Sequence, residues 1–227
     1  QLSDFSSDIA HELRTPVSNL LTQTQVTLSK ARKPDEYRDI LASNAEEFER
    51  LSRMISDMLF LAKSDNQLIV PHPEAVNLVD EVKGVFEFYE ALAEEKSIAL
   101  HCTGAGIVSG DRLMLRRAIS NLISNALRYT PEGKRISVVV DEGSAVRLSV
   151  ANPGKAIPAE HLPRLFDRFY RVDGSRHRFS EGVGLGLAIT RSIMRAHGGE
   201  ADVRSDNAST VFTLTFPRQL PETDDGA

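Results

Sequence analysis

Apolar side chains recur every three or four residues along the first third of the chain, which is the period of an amphipathic α-helix. The first apolar face consists of Phe5, Ile9, Leu13, Val17, Leu20, Thr24 and Leu28. The second consists of Tyr37, Leu41, Asn44, Phe48, Leu51, Ile55, Met58 and Ala62. The spacings in this second set alternate between four and three, which is a heptad seam and indicates a helix that packs along its whole length.

The short connection SKARKP separates the two patterns, so we predict an antiparallel helical hairpin over residues 1–66. The second helix is expected to begin after Pro34, because Asp35 and Glu36 suit a first helical turn. Two helices alone bury little apolar surface, and a seam of this length needs further partners. A four-helix bundle built by two chains is the simplest solution, so we expect a homodimer through residues 1–66.

The pattern changes after the hairpin, where Pro71 and Pro73 interrupt the helical period. We therefore predict a linker over 67–74, a second domain over 75–217 and a disordered acidic tail over 218–227. Helices are expected over 79–95 and 111–129, and in GLGLAITRSIMRAHGG, which Gly198 and Gly199 would end. Asp111 is a plausible cap of the helix over 111–129. Predicted strands are IALHCTG, GIVSG, RISVVVDE, AVRLSVAN, EADVRSD and STVFTLTF. This order predicts an α+β fold, with a mostly antiparallel sheet and helices on one face.

Composition excludes several classes of protein. The 227 residues carry a net charge of -5, which argues against a general nucleic-acid surface, since such surfaces are basic. The single cysteine, Cys102, excludes a disulfide framework and a cysteine-based zinc site, and a reducing compartment fits. Neither an apolar run of membrane-spanning length nor a signal peptide occurs in the sequence. The chain begins within a helical pattern and without Met, so we expect a longer protein upstream.

One histidine of the first helix lies away from its apolar face. On a helical wheel, His11 falls roughly 160° from the centre of that face and close to Glu12 and Thr15. A neutral imidazole has one nucleophilic nitrogen, and a carboxylate that holds the proton on the other nitrogen strengthens it. Glu12 suits that role, and Pro16 would bend the helix just past the site. A solvated surface histidine is the alternative interpretation.

Two further patterns in the second domain suit a nucleotide. Asn121 and Asn125 lie one turn apart on a helix, so their amides face the same way, and amide oxygens are ligands suited to Mg²⁺. Polar residues on a solvated face are the alternative. Gly182, Gly184 and Gly186 precede or begin a helix, where backbone N–H groups approach phosphate. A polar loop rather than a strand precedes them, which argues against a Rossmann site, and no Walker A pattern occurs.

Four segments in order, SSDIAHELRTP, NLISNALRYT, LFDRFYR and EGVGLGLAI, form a highly specific set, although each alone is weak. They resemble the H-, N-, F- and G2-boxes of sensor histidine kinases, the membrane-linked halves of bacterial two-component systems. The resemblance covers essentially the whole chain. It implies a dimerisation and histidine-phosphotransfer hairpin, followed by a Bergerat-type ATP-binding sandwich. It also implies the cytoplasmic portion of an inner-membrane protein, attached to the membrane only through upstream segments.

The resemblance further implies that ATP and Mg²⁺ bind in the second domain, with Asn125 as the magnesium ligand and Asn121 as its support. Residues 173–181 would form a flexible lid over ATP, in which Arg176 and Arg178 contact phosphates; solvent-exposed charge is the alternative for both arginines. Phenylalanines of the F-box would pack beneath this lid or belong to the ordinary core. The nucleotide-binding residues implied in this way are Asn121, Asn125, Arg128, Tyr129, Asn152, Gly154, Ile157, Phe166, Phe169, Arg176, Arg178, Gly182, Gly184, Leu185 and Gly186.

One segment departs from the family pattern. The usual G1-box is Asp-x-Gly-x-Gly, whose aspartate accepts a hydrogen bond from the adenine amino group. Here VANPGKAIP has Asn152 in place of the aspartate and Ala156 in place of the second glycine, while Gly154 matches the first. A neutral amide is a weaker acceptor than a carboxylate, so ATP affinity is the property most affected. Some heavy-metal sensor kinases have a similar Asn-Pro-Gly variant, and TQTQVTL, SDMLFLAKSDN and HLPRLFDRFYRVD resemble copper- and silver-responsive members.

The resemblance therefore implies ATP-dependent autophosphorylation of His11 with Glu12 as base, then transfer to an aspartate of a response regulator receiver domain. It also implies dephosphorylation of that regulator, with Thr15 orienting a water molecule, in a copper or silver response. An ATPase of the wider Bergerat superfamily is one alternative, but it would need a catalytic acid near Asn121. A degenerate kinase that acts mainly as a phosphatase or ATP-binding module is the other, because the G1 segment is altered.

Overall fold

The computed structural model describes the backbone of residues 2–172 and 183–217, together with their side chains except those of residues 2–9 and His11. The chain divides into two compact units, Gln1–Ala62 and Lys63–Ala227. The tail predicted over 218–227 lies outside the described residues. Within the part that is described, no helix is both long and apolar enough to cross a bilayer.

The first unit is the predicted helical hairpin, made by α1 (Leu2–Leu28) and most of α2 (Pro34–Asp65). Helix α1 continues through Pro16. Pro34 occupies the first position of α2, where its missing N–H costs nothing. The Glu36 carboxylate accepts a hydrogen bond from the backbone N–H of Lys33 at 3.1 Å, so the entry into α2 is capped as well.

The predicted apolar seam of α2 agrees only in part with the buried residues of the helix. Leu51 and Met58 are buried as predicted, but Met54 and Leu61 complete the buried row, each one position before a predicted residue. Three predicted seam residues stay largely uncovered, with exposures of 66% for Leu41, 61% for Phe48 and 46% for Ile55. Two adjacent apolar stripes therefore run along α2. The prediction merged them, because neighbouring stripes on a helix share the three-and-four spacing.

The predicted apolar face of α1 needs the same correction. Leu20 is buried, but Val17 and Leu28 are 53% and 75% exposed. Pro16 and Thr27 are buried instead. The Thr27 hydroxyl donates a hydrogen bond to the carbonyl of Gln23 at 2.6 Å, and this satisfied hydroxyl is compatible with burial. Each helix of the hairpin thus contributes one covered stripe and one uncovered stripe.

The second unit is a two-layer α+β sandwich, as predicted. Its helices are α3 (Leu78–Glu95), α4 (Arg112–Tyr129) and α5 (Gly186–Ala196), with a short 3₁₀ turn at Leu162–Arg164. Its strands are β1 (Glu74–Asn77), β2 (Ala99–Gly104), β3 (Ile107–Gly110), β4 (Arg135–Glu142), β5 (Val146–Asn152), β6 (Glu200–Ser205) and β7 (Thr210–Phe216). The main sheet has the order β2-β4-β5-β7-β6.

Burial alternates along the three central strands, so the sheet has one core face. Val138, Leu148 and Phe212 exemplify the buried positions, each nearly inaccessible to solvent. Their sequence neighbours on the other face include Ser149 and Thr213, whose hydroxyls lie 3.1 Å apart in a hydrogen bond. The helices cover the apolar face, and the prediction of helices on one side of a mostly antiparallel sheet is confirmed.

Two strand pairings were not predicted. Strand β1 begins at Glu74, inside the predicted linker, and pairs antiparallel with β3 in a separate two-stranded sheet. Strand β2 pairs with β4 in parallel, with α4 lying between them in the sequence. Four residues, EAVN, carry too little alternation to be recognised, and a parallel crossover is a property of the fold rather than of either strand.

Helix α4 begins with the predicted cap. The Asp111 carboxylate accepts a hydrogen bond from the backbone N–H of Met114 at 3.0 Å, and its other oxygen accepts one from the N–H of His72 at 3.2 Å. Burial alone would raise the pKa of Asp111, but hydrogen bonds from three backbone amides, foremost that of Met114, outweigh it. The pKa of this carboxyl therefore lies below its ordinary value.

We expect Asp111→Ala to lower the free energy of unfolding by about 1 kcal/mol near neutral pH, because the N-cap is lost. Asp111→Asn keeps a capping oxygen but does not titrate. Since the folded pKa of Asp111 is lowered, its ionic contribution is complete above the unfolded pKa and disappears as the pH falls through the folded value. Urea denaturation of both variants at neutral pH and below about pH 4 measures this. A stability difference between wild type and Asp111→Asn that stays constant over that range contradicts it.

Candidate functional site

The N-box asparagine Asn121 holds α4 against the start of α5. Its side-chain Nδ2 donates a hydrogen bond to the carbonyl of Gly186 at 2.9 Å. The Thr190 hydroxyl donates to the same carbonyl at 3.0 Å. Gly186 lies directly against the Asn121 amide. These contacts hold the first turn of α5 against the middle of α4.

Asn125 lies one helical turn further along α4, about 6 Å beyond Asn121. Its side chain is half-buried and has no hydrogen-bond partner among the described residues. Because Asn121 meets α5 at Gly186 and Asp111 meets it at His197, Asn125 occupies a position on α4 beyond the start of α5. The first backbone N–H groups of α5 carry partial positive charge, and its N-cap residue, Leu185, makes no side-chain capping hydrogen bond. An amide oxygen near a helix N-terminus suits a cation bound to phosphate, so these residues fit Mg²⁺ with a nucleotide.

The F-box and the G2-box meet at Phe169 and Gly184. The N–H of Phe169 donates a hydrogen bond to the carbonyl of Gly184 at 3.0 Å. Gly184 has a φ of +80°, and a Cβ placed on it would lie 2.9 Å from the carbonyl carbon of Phe169. Only glycine fits this close approach in this conformation. The two residues thus join the chain on either side of residues 173–182.

The remainder of the F-box is anchored in the core. Phe166 is buried and contacts Phe212 of β7 edge to face, with the ring centroids 6.2 Å apart. Arg191 of α5 forms an ion pair with Asp167 at 3.5 Å, and its guanidinium lies 5.9 Å from the centre of the Phe166 ring. Phe166 therefore belongs to the ordinary core, as the sequence analysis allowed, and ties α5 to the F-box.

The altered G1 segment follows β5 and lies against the end of α4. Asn152 is buried, with Nδ2 3.4 Å from the carbonyl of Pro153, which leaves Oδ1 as the acceptor. A Cβ on Gly154 would lie 3.0 Å from the carbonyl oxygen of Tyr129. The N–H of Ile157 donates to the Ser205 hydroxyl at 3.0 Å. Glycine at 154 thus permits close contact between the G1 segment and the last turn of α4.

The structure brings together those predicted site residues of the second unit that it describes. They surround one region, which is bordered by the end of α4, the G1 segment, the Phe169–Gly184 contact and the start of α5 with Leu185. Arg128 and Tyr129 at the end of α4 are exposed. Arg176, Arg178, Gly182 and the predicted lid over 173–181 lie outside the described residues. In the first unit, the backbone of His11 belongs to α1, and the side chains of Glu12 and Thr15 are exposed. The side chain of His11 is outside the description.

Several contacts at this region were missed. His161 Nδ1 lies 2.6 Å from the Tyr170 hydroxyl, and Arg164 stacks over the Tyr170 ring at 4.4 Å. These residues follow no helical or strand period, so the sequence offered no signal for them. The buried Thr190, one turn after Gly186, follows the apolar face of α5 and was readable only as core.

Cys102 is a possible nucleophile only as a thiolate, and its surroundings oppose that form. It is half-buried on strand β2, and burial raises the pKa of the thiol, with the Lys83 charge acting in the opposite direction. The thiol is therefore neutral near physiological pH. In the described part of the chain, no three or more His, Cys, Asp or Glu side chains form a cluster that would hold a metal ion.

Two family models match the chain in sequence order. Residues 1–67 match the His Kinase A (phospho-acceptor) domain, and residues 110–220 match the histidine kinase-, DNA gyrase B- and HSP90-like ATPase domain. The chain belongs to the histidine kinase family. The family resemblance is thereby confirmed.

Individual histidine kinases agree with this assignment. Sensor histidine kinase CusS of Escherichia coli (strain K12) is 55% identical over 219 residues, which are 95% of this chain and 45% of CusS. The chain thus spans a little under half of that relative's length. Acinetobacter baumannii histidine kinase AdeS has a similar structure, with a TM-score of 0.78, 25% identity and coverage of 92% of this chain and 98% of AdeS. The fold is shared by histidine kinase ThkA in complex with response regulator protein TrrA, with a TM-score of 0.77, 23% identity and coverage of 96% and 62%.

In this histidine kinase, we expect Gly184→Ala to weaken binding of Mg²⁺-ADP about tenfold or more, because its Cβ would displace the Phe169 backbone. Gly133→Ala is the matched control, since Gly133 has a φ of +73° but open space around the added Cβ. Both variants carry the strain of a positive φ, of about 1 kcal/mol. Calorimetric titration with Mg²⁺-ADP and thermal unfolding separate the effects. Equal affinities in the two variants would show that the Phe169–Gly184 contact does not shape the site.

Proposed function

We propose that this chain is the catalytic region of a two-component sensor kinase that phosphorylates its own His11 with ATP. The observation that carries the proposal is the hydrogen bond from Asn121 to Gly186, which joins α4 to the start of α5 one helical turn before Asn125. This arrangement lies within the part of the chain that matches an ATPase model, and a phospho-acceptor model covers His11.

The nucleotide would bind between α4, the G1 segment and the start of α5. Asn125 would hold Mg²⁺, which when bound would offset the negative charge of the phosphates. Asn121 keeps the first turn of α5 in place, so that its N–H groups face the phosphates. Oδ1 of Asn152 accepts a hydrogen bond from the adenine amino group. The other residues assigned to nucleotide binding are Arg128, Tyr129, Gly154, Ile157, Phe166, Phe169, Arg176, Arg178, Gly182, Gly184, Leu185 and Gly186.

The reaction is an in-line displacement at the γ-phosphorus. One imidazole nitrogen of His11 forms the new N–P bond as the bond from phosphorus to the β,γ-bridging oxygen breaks, and ADP leaves with that electron pair. The proton on the other imidazole nitrogen passes to the carboxylate of Glu12, so the product carries a neutral imidazole ring and an anionic phosphoryl group. Glu12 is exposed on α1 and accessible for this exchange.

The phosphoryl group then passes to an aspartate of a response regulator receiver domain, which docks on the helical hairpin. The complex of ThkA with TrrA supports such a partner, as does the phospho-acceptor match over residues 1–67. Thr15, exposed one turn after His11 on α1, would orient a water molecule for the reverse control, dephosphorylation of the regulator.

The hairpin forms a homodimer through residues 1–66, with residues 67–74 as the linker and residues 75–217 as the ATP-binding domain. The support is the second apolar stripe of α2, on which Leu41, Phe48 and Leu59 are 66%, 61% and 59% exposed. An apolar stripe of this length is covered when two hairpins form a four-helix bundle.

In the cell, the chain would be the cytoplasmic portion of an inner-membrane sensor in a copper or silver response. The support is the likeness of three segments and of the Asn-Pro-Gly variant to heavy-metal sensor kinases, together with the identity to CusS. A second candidate, a degenerate kinase that acts mainly as a phosphatase or ATP-binding module, rests on the neutral Asn152 in place of a carboxylate.

The direct test is incubation with γ-labelled ATP and Mg²⁺, beside His11→Gln and, as a control, His101→Gln. We expect label that is stable to base and labile to acid in the wild type and the control, and at least about a hundredfold less in His11→Gln, because its amide is not a nucleophile. Absence of label in a folded wild type that binds ATP favours the phosphatase or binding module. Label that persists in His11→Gln contradicts the assignment of His11.

We expect Phe48→Glu to convert the dimer to a monomer, because it places a charge in the stripe that the second hairpin covers. Leu113→Glu is the matched control, since Leu113 is 77% exposed on α4 in the other unit. Light scattering after size exclusion gives the mass of each variant. A wild type that is monomeric at micromolar concentration, or a Phe48→Glu variant that remains dimeric, would rule out this interface.

A further inference from the structure

His197 ends α5 and uses both of its ring nitrogens. Nδ1 lies 2.8 Å from the carbonyl oxygen of Ile193, and Nε2 lies 3.0 Å from the backbone nitrogen of Asp111. A backbone N–H can only donate, so Nε2 is the acceptor. The proton is then on Nδ1, which donates to the Ile193 carbonyl. The hydrogen bonds thus assign a neutral imidazole in its Nδ1–H form.

This histidine fastens the far end of α5 to the beginning of α4. Asn121 fastens the near end through Gly186, so α5 is tied to α4 twice. From Gly186 to His197 the helix rises about 16 Å, and from Asp111 to Asn121 about 15 Å. The two spans match, and α5 therefore lies antiparallel along the first half of α4.

The His197 ring lies against Gly110, the last residue of β3. A Cβ on Gly110 would lie 2.6 Å from Cδ2 and 2.9 Å from Nε2 of His197. Glycine at the end of β3 is thus required for the ring to reach the Asp111 amide. Because that amide immediately precedes α4, a displacement of the ring changes where α5 ends relative to α4.

We propose that His197 is a positioning residue for the nucleotide: in its neutral form it sets the direction of α5, and so the distance between the start of α5 and Asn125. This inference rests on the proposed nucleotide site. His197 lies at the opposite end of α5 from that site and does not touch the nucleotide. It acts because a helix is stiff, so that fixing both ends of α5 fixes the N–H groups at its start.

The hydrogen-bond pattern requires an acceptor at this position. In a charged imidazole both nitrogens would donate, so Nε2–H would face the N–H of Asp111 and the bond would be lost. A side chain that replaces His197 keeps the link to α4 only if it still offers an acceptor to the Asp111 amide.

The test compares Mg²⁺-ADP affinity in wild type, His197→Ala, His197→Gln and the control His101→Gln at one neutral pH. Ala removes both hydrogen bonds, so we expect a loss of about fivefold to tenfold. Gln can still accept from the Asp111 amide, so we expect near wild-type affinity in His197→Gln and in His101→Gln.

Gly110→Ala is the second route, since it displaces the ring without removing it, and we expect it to weaken binding as His197→Ala does. A folded His197→Ala with wild-type affinity overturns the inference. So does a His197→Gln variant that binds as weakly as His197→Ala, because glutamine keeps an acceptor for the Asp111 amide. A wild type that binds no nucleotide would instead contradict the proposed function itself.

Discussion

The hydrogen bond from Asn121 to the carbonyl of Gly186 is the constraint on which the candidate nucleotide site depends. It joins the middle of α4 to the first residue of α5 across 65 positions of sequence, at 2.9 Å. The Gly186 carbonyl accepts from the Asn121 amide and from the Thr190 hydroxyl, so α4 and the first turn of α5 share this acceptor. Because α4 is itself fixed by its apolar face on the sheet, the start of α5 inherits that position.

The contacts around residues 173–182 follow from the same arrangement. Phe169 and Gly184 are joined by a backbone hydrogen bond, so the ends of this segment are brought together before the nucleotide binds. Phe166, which is buried against Phe212, and Arg191, which pairs with Asp167, tie this contact to the core of the unit.

In the hairpin, each helix has two apolar stripes, of which one packs within the hairpin and the other is exposed. Burial of one Leu or Phe side chain contributes about 1.5–3 kcal/mol, so an uncovered stripe with several such residues is a strong driving force for association. The covered stripe contains Leu51 and Leu61, and the uncovered one contains Leu41 and Phe48. The residues of each stripe recur with the same spacing, which is why a single periodic pattern described both.

Much of the fold could be predicted from the sequence, because helices and strands have characteristic local periods and capping residues. The cap at Asp111, the end of α5 before Gly198 and the hairpins β4–β5 and β6–β7 all depend on residues close together in the chain. The four boxes were also recognisable in the sequence, since each is a short run of specific residue types in a fixed order. The choice between the two stripes of α2 was not readable, because it depends on what lies opposite.

Only the tertiary structure decided which distant residues meet. The β1–β3 pair, the parallel pairing of β2 with β4 and the bond from His197 to Asp111 join segments whose local sequences carry no sign of one another. The sequence by itself determined the elements, the family and the residue types available for chemistry. The packing of α5 along α4 then determined that Asn121, and not Asn125, is hydrogen-bonded to Gly186. A side chain's role depends on the partner within hydrogen-bond reach.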